Sequence, residues 1–155
     1  MNKALLSSNS NEWETPMDLF NELNAEFGFT LDPCCTKNNH LCNNYYTKED
    51  DGLSYDWTDE YVFCNPPYGR EIGKWVEKCA TEKALSVMLI PARTDTKYFH
   101  KWIYNKPNVE IIFLKGRIKF LQNGIQGQSA PFPSMIVVFK NGVDKDDTVY
   151  YTRRA

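Results

Sequence analysis

No apolar run in the 155 residues approaches the ~20 needed for a membrane-spanning helix, and Leu85 to Ile90, among the longest, is already broken by Ser86. Residues 1 to 10 lack a basic-then-apolar leader pattern, so a cytoplasmic protein is expected. Cysteine is present without a framework. The five (Cys34, Cys35, Cys42, Cys64 and Cys79) are odd in number, and three sit in apolar or strand-like runs, which points to a reducing compartment without disulfides. Metal signatures are missing as well: Cys34, Cys35, His40 and Cys42 are zinc-type residues, but adjacent cysteines lack the usual ligand spacing. Asp50-Asp51-Gly52 lacks the alternating oxygens and terminal glutamate of a calcium loop, so no metal is expected. No repeat, low-complexity stretch or Pro/Gly-rich linker divides the chain. A single domain over residues 13–155, preceded by a loose arm over residues 1–12, is the simplest organisation.

What is present suits a folded domain. Residues of the AVILMFWYC set make up 42% and charged residues 25%, enough apolar material for a core. The net charge of −2 hides an asymmetry: residues 1–80 carry 6 Lys/Arg against 14 Asp/Glu, and residues 81–155 carry 12 against 6. A basic second half is able to face phosphates while the acidic half faces away.

A helix is predicted from Thr15-Pro16-Met17-Asp18, with Thr15 as cap, proline at the first helical position and Asp18 completing a carboxylate capping box; Gly28 stops it. Phe29-Thr30-Leu31 reads as a strand halted at Asp32-Pro33. A short strand near Tyr45 interrupts the polar residues 34–60. Tyr61 to Cys64 is a buried-type strand running into Asn65-Pro66-Pro67-Tyr68-Gly69. A helix over residues 70–82, a strand from Leu85 ending at Pro91, and a third helix containing Phe99, Trp102 and Ile103, begun at Thr94 or Asp95, follow. Strands over Val109 to Leu114 and Met135 to Phe139 flank a long loop from Asn123-Gly124 to Pro133, and Val149-Tyr150-Tyr151 offers an edge. The order is that of an α/β sheet finished by an antiparallel hairpin.

Asn65-Pro66-Pro67-Tyr68 carries the chemistry. Two prolines hold the backbone extended and leave the Pro66 carbonyl without local donors, beside the amide oxygen of Asn65. Two fixed acceptors suit an exocyclic amine: taking both N–H bonds turns the nitrogen lone pair out of ring conjugation and stabilises the positive charge that grows as nitrogen attacks a methyl sulfonium. Tyr68 is of the type that stacks on a planar base, for ~1–3 kcal/mol.

With this motif at a strand's end, the chain resembles the S-adenosylmethionine-dependent amino-methyltransferases of adenine N6 and cytosine N4. The likeness to small phage-type DNA N6-adenine methyltransferases runs on through Trp13-Glu14-Thr15-Pro16, Leu31-Asp32-Pro33, Asp51-Gly52-Leu53 with Trp57, Leu89-Ile90-Pro91-Ala92-Arg93 and Gly116-Arg117-Ile118-Lys119-Phe120, over roughly residues 12–140. The resemblance implies an abbreviated Rossmann-like methyltransferase fold, in a mixed α/β sheet with a C-terminal antiparallel hairpin. It implies S-adenosylmethionine as cofactor, with Thr15 and Pro16 at a helix start by its methionine end. Asp32 and Pro33 would lie at the ammonium, and Asp51 at its adenine amine, where Asp50 and Asp56 compete. Asn65, Pro66, Pro67 and Tyr68 would be catalytic. It further implies double-stranded DNA as partner, met by Arg93, Arg117, Lys119 and Phe120, and a role in evading host restriction. Lys97 and Lys101 extend that basic surface.

Two departures stand out. No glycine follows the first strand in Cys34-Cys35-Thr36-Lys37-Asn38-Asn39, and only 33 positions separate Asp32 from Asn65, so one βα unit is shortened or lost, with the acid that would grip the cofactor ribose. Little room remains for a separate recognition domain, which predicts a short target or assembly as a homodimer. Methylation of a protein glutamine or an RNA amine is the alternative within the same chemistry; a catalytically silent DNA-binding module is the alternative outside it.

Overall fold

The computed structural model describes residues 13–142. The expected arm over residues 1–12 and the edge at Val149-Tyr150-Tyr151 lie outside the described residues. Helix α1 (Met17–Phe27) precedes β1 (Leu31–Cys35), β2 (Asn44–Thr47) and β3 (Tyr61–Cys64). Then come α2 (Ile72–Thr81), β4 (Leu85–Pro91) and β5 (Val109–Phe113), a small hairpin of β6 (Leu121–Gln122) and β7 (Ile125–Gln126), and β8 (Ser134–Lys140). The main sheet runs β2-β1-β3-β4-β8-β5. Strands β1 to β4 pair in parallel, and β8 lies antiparallel between β4 and β5. This is the expected mixed α/β sheet with an antiparallel finish.

Every residue of β4 and β8 is buried, as their mostly apolar sequences suit central strands. Even Lys140 at the end of β8 is covered, its ammonium held by Glu110 of β5. Helix α1 packs through Phe20, whose ring meets Phe29 and Phe63 at 5.7 and 5.3 Å. Gly28 ends α1 in the left-handed region at φ 65°, its N–H returned to the Asn24 carbonyl. Helix α2 forms the β3 to β4 crossover and buries Ile72, Trp75, Val76 and Cys79.

The shortening falls between β1 and β3. Residues 36–43 join β1 to its parallel neighbour β2 without a helix, and between β2 and β3 there is only a single 3-10 turn, Gly52–Ser54. Parallel strands ordinarily need a helical crossover. Here the fully buried Trp57 covers that side, with its ring 6.4 Å from Trp75, its indole N–H on the Gly52 carbonyl and its backbone N–H on Glu82.

Three local expectations are corrected. Strand β1 runs through Asp32-Pro33 rather than stopping there: the register with β2 shifts between Asp32 and Cys35, and only Leu31 is paired with β3, so Pro33 sits where the ladder is already irregular. Thr15 does not cap α1. The cap position is Pro16, with no side-chain bond, and the Leu19 N–H bonds to the Asp18 carboxylate at 2.9 Å. The third helical segment is a π-helical turn, Phe99–Ile103, and its threonine is Thr96 rather than Thr94 or Asp95; Thr96 accepts from the Phe99 N–H at 3.4 Å. Within the long loop, Asn123 and Gly124 both take positive φ (53° and 79°), the two-residue turn that closes β6 onto β7.

Candidate active site

Strand β3 delivers Asn65 at its carboxyl end, and Pro66-Pro67 stops the ladder there. The Asn65 amide nitrogen donates to the Trp13 carbonyl at 2.5 Å and to Thr15 Oγ1 at 2.9 Å. Both its hydrogens are thereby occupied. Its Oδ1 is buried and has no hydrogen-bond partner among the described residues. Leaving a buried acceptor unmet costs roughly 1–3 kcal/mol, so a donor brought by a ligand is the natural completion.

Asn65, Pro66 and Pro67 face a cavity of about 540 Å³, within the size range of small-molecule sites. Its walls include Thr15 from the segment before α1, Asp32 and Pro33 from β1, Asp51 and Gly52 from the 3-10 turn, and Trp75 from α2. It lies at the carboxyl ends of parallel strands, where open α/β sheets bind ligands. Among the described residues, four carboxyl side chains line it, Glu14, Asp32, Asp51 and Glu71, against one cation, Lys48. Such a wall favours a positively charged guest.

Asp32 is 3% exposed, and burial raises its carboxyl to about 6. Hydrogen bonds from the Leu41 and Cys34 amides and the charge of His40 pull the other way without overcoming desolvation. Asp51 takes φ 58° at the start of the 3-10 turn. A Cβ on Gly52 would lie 2.1 Å from the Pro33 carbonyl oxygen, so only glycine lets the Asp51 turn rest on Asp32-Pro33. The competing acids are engaged elsewhere. Asp50 accepts from the Thr47 N–H and hydroxyl, Asp56 from those of Thr58, and these bonds hold both carboxyls below their ordinary value.

Tyr68 is placed differently from the sequence expectation. It is buried, donates its hydroxyl to the Leu89 carbonyl at 2.9 Å, and meets Phe120 and Phe132 edge-on at 6.0 and 5.7 Å. Trp13 closes the same aromatic group against Phe120 and Phe132. A base stacking on Tyr68 requires these rings to part. Phe120 is likewise 2% exposed and belongs to the core rather than to the basic edge. Arg93, Arg117 and Lys119 are exposed and do not line the cavity. The Arg93 guanidinium sits 5.8 Å from the Phe132 ring, and Arg117 donates to the Ala130 carbonyl at 3.3 Å. Pro16 is buried at the start of α1 and is not part of the lining.

Cys34 Sγ and Cys64 Sγ approach to 3.6 Å as free thiols, both pushed up by burial. Among the described residues no three His, Cys, Asp or Glu side chains gather as a metal-binding set. No described helix is long and apolar enough to cross a membrane.

Sequence reasoning named Glu14 within Trp13-Glu14-Thr15-Pro16 but gave it no role. Its backbone bridges to Leu121, and its carboxylate accepts from the Asn123 and Gly124 N–H groups at 2.8 and 3.0 Å, tying the β6–β7 hairpin to the strap that holds Asn65. The sequence reading placed Asn123-Gly124 in a long loop, and nothing in the sequence linked it to a carboxylate more than 100 positions earlier. Gly52 was visible only as the neighbour of Asp51.

The family model described as DNA N-6-adenine-methyltransferase (Dam) matches residues 2–154. A DNA N-6-adenine-methyltransferase of Haemophilus phage HP1 (strain HP1c1) is 30% identical over 142 residues, covering 86% of this chain and 80% of the relative. One of the same name from Escherichia phage T1 is 29% identical over 108 residues, covering 66% of this chain and 44% of the relative.

Proposed function

The chain belongs to the DNA N-6-adenine-methyltransferase (Dam) family and is an enzyme of adenine N6 methylation in DNA; from that premise we propose that Asn65 and Pro66 receive the target amine beside a cavity that holds S-adenosylmethionine. The orphan Oδ1 of Asn65 carries this reading. S-adenosylmethionine supplies an electrophilic methyl on a cationic sulfonium. The chain's residues do the rest by binding and orientation.

Asp32, near the start of β1, would hold the ammonium of the methionine moiety, and Asp51 would accept from the adenine amine of the cofactor. The excess of carboxylates over cations in the wall supports a cationic guest. Gly52 fits the same reading, because the turn it allows sets the Asp51 loop directly on Asp32-Pro33. Asn65 Oδ1 and the Pro66 carbonyl oxygen accept the two N–H bonds of the target amine, which concentrates the lone pair on nitrogen and stabilises the charge it acquires. The same acceptors hold the proton that nitrogen then loses to solvent, so no strong base is required. Tyr68 shapes the pocket from behind; the aromatic rings of Trp13, Phe120 and Phe132 open to admit the extruded base. Extrusion costs a few kcal/mol, and the exposed Arg93, Arg117 and Lys119 grip the flanking phosphates of duplex DNA.

The test separates binding from chemistry. Replacing Asn65 by Ala is expected to lower single-turnover methylation by ~10²–10³-fold, as for other donors or acceptors engaged in a transition state, with S-adenosylmethionine affinity by calorimetry almost unchanged. Undiminished turnover contradicts the assignment.

A further inference from the structure

The Asn65 amide is useful only one way round. Its oxygen must face the target amine; turned over, it would set N–H against N–H. The two ends of a carboxamide are nearly the same size, and rotation about its last side-chain bond is soft. Something in the protein must choose the orientation, and among the described residues two atoms bond to the amide nitrogen: the Trp13 carbonyl and Thr15 Oγ1.

We infer that Thr15 is a positioning residue for the chemical step: its Oγ1, with the Trp13 carbonyl, holds the Asn65 amide plane so that Oδ1 faces the incoming amine. This rests on the acceptor role proposed for Asn65. A single hydrogen bond is a pivot, whereas two bonds from one nitrogen to acceptors on different atoms define a plane. Thr15 is 5% exposed, so water does not replace its oxygen readily. Nor is its hydroxyl engaged in capping, since α1 has no side-chain cap. The Thr15-Pro16 pair combines two tasks: proline takes the cap position of α1, and threonine, one position earlier, is released to reach the Asn65 amide at the end of β3. Thr15 therefore acts through Asn65 and not through the cofactor, although it forms part of the cavity wall.

The experiment compares the full chain with Thr15→Val, Thr15→Ser and Asn65→Ala, measuring kcat on duplex DNA and, separately, S-adenosylmethionine affinity. Thr15→Val keeps shape and removes the acceptor; it is expected to lower kcat about tenfold or more, in line with one lost hydrogen bond and a misaligned group, at unchanged cofactor affinity. Thr15→Ser restores the hydroxyl and is expected to recover kcat. Thr15→Val with wild-type kcat, or with weakened cofactor binding at unchanged kcat, overturns the inference while an inactive Asn65→Ala leaves the acceptor role standing. An active Asn65→Ala overturns both. Should Thr15→Val not fold, the wild-type protein itself carries the test through the side-chain amide resonances of Asn65, assigned by their absence in Asn65→Asp. Protection of both hydrogens from solvent exchange is expected, and rapid exchange overturns the inference.

Discussion

Asp32 illustrates how a single residue carries an energetic cost with a purpose. Burial raises its carboxyl to about 6 against an ordinary value of 3.8, so the folded chain binds a proton more tightly than the unfolded one. The sign follows: this group favours the fold below pH 4, and its contribution is lost as pH rises through 6, amounting to roughly 3 kcal/mol at neutral pH. A cationic guest offsets that cost. Cofactor affinity is accordingly expected to fall as pH drops below about 6, approaching tenfold per pH unit, and titration calorimetry of wild type against Asp32→Asn should show a flattened dependence in the variant. An acid-independent affinity in the wild type would remove Asp32 from the ammonium site. At this scale the sequence was partly legible. Asn65, Pro66 and Pro67 could be singled out because their types and neighbours dictate chemistry, whereas Asp32 and Asp51 stood out only through the resemblance to a family. The partners of Asn65 could not, since Trp13 and Thr15 lie about fifty positions away, and local capping rules assign Thr15 to the helix that follows it.

At the scale of elements, the abbreviated β1–β3 region replaces helices with close contacts. Its turn depends on Gly52, where an added methyl would meet backbone rather than a yielding side chain. Gly52→Ala is expected to destabilise the chain by roughly 1–3 kcal/mol and to weaken cofactor binding, both readable by denaturant unfolding and calorimetry. A variant of wild-type stability and affinity would mean that the turn is not fixed by this approach. The hairpin depends likewise on Glu14. Removing its carboxylate in Glu14→Ala takes away the charge-assisted acceptor of two turn amides, so hydrogen exchange at Asn123 and Gly124 should accelerate while exchange in β4 stays slow. The main sheet was well read from the sequence, because β4 and β8 are long, mostly apolar runs, whereas the β6–β7 hairpin was hidden inside what reads as one long loop. Strand β1 was misjudged for an equally physical reason: a proline excludes a regular ladder, but not one already interrupted by a shift in register.

Considered whole, the molecule divides its charge in line with its two proposed partners. The acidic first half supplies the four carboxyl groups of the cavity, Glu14, Asp32, Asp51 and Glu71, while the basic second half carries exposed Arg93, Lys97, Lys101, Arg117 and Lys119. Sequence arithmetic showed the asymmetry; only the fold shows that the carboxylates line one cavity and the basic residues lie outside it. If Arg93 and Lys119 meet phosphates, the double replacement Arg93→Ala with Lys119→Ala should lower the slope of log affinity against log salt by up to about 2 and weaken binding across DNA sequences alike. An unchanged slope would move DNA to another face.

The central claim is tested most directly by product identity. Purified protein is incubated with methyl-labelled S-adenosylmethionine and mixed-sequence duplex DNA, and the digested nucleosides are separated, with Asn65→Ala in parallel. The account requires label in N6-methyladenosine's deoxy form and its loss in the variant; label absent from DNA, or present equally with Asn65→Ala, would contradict it.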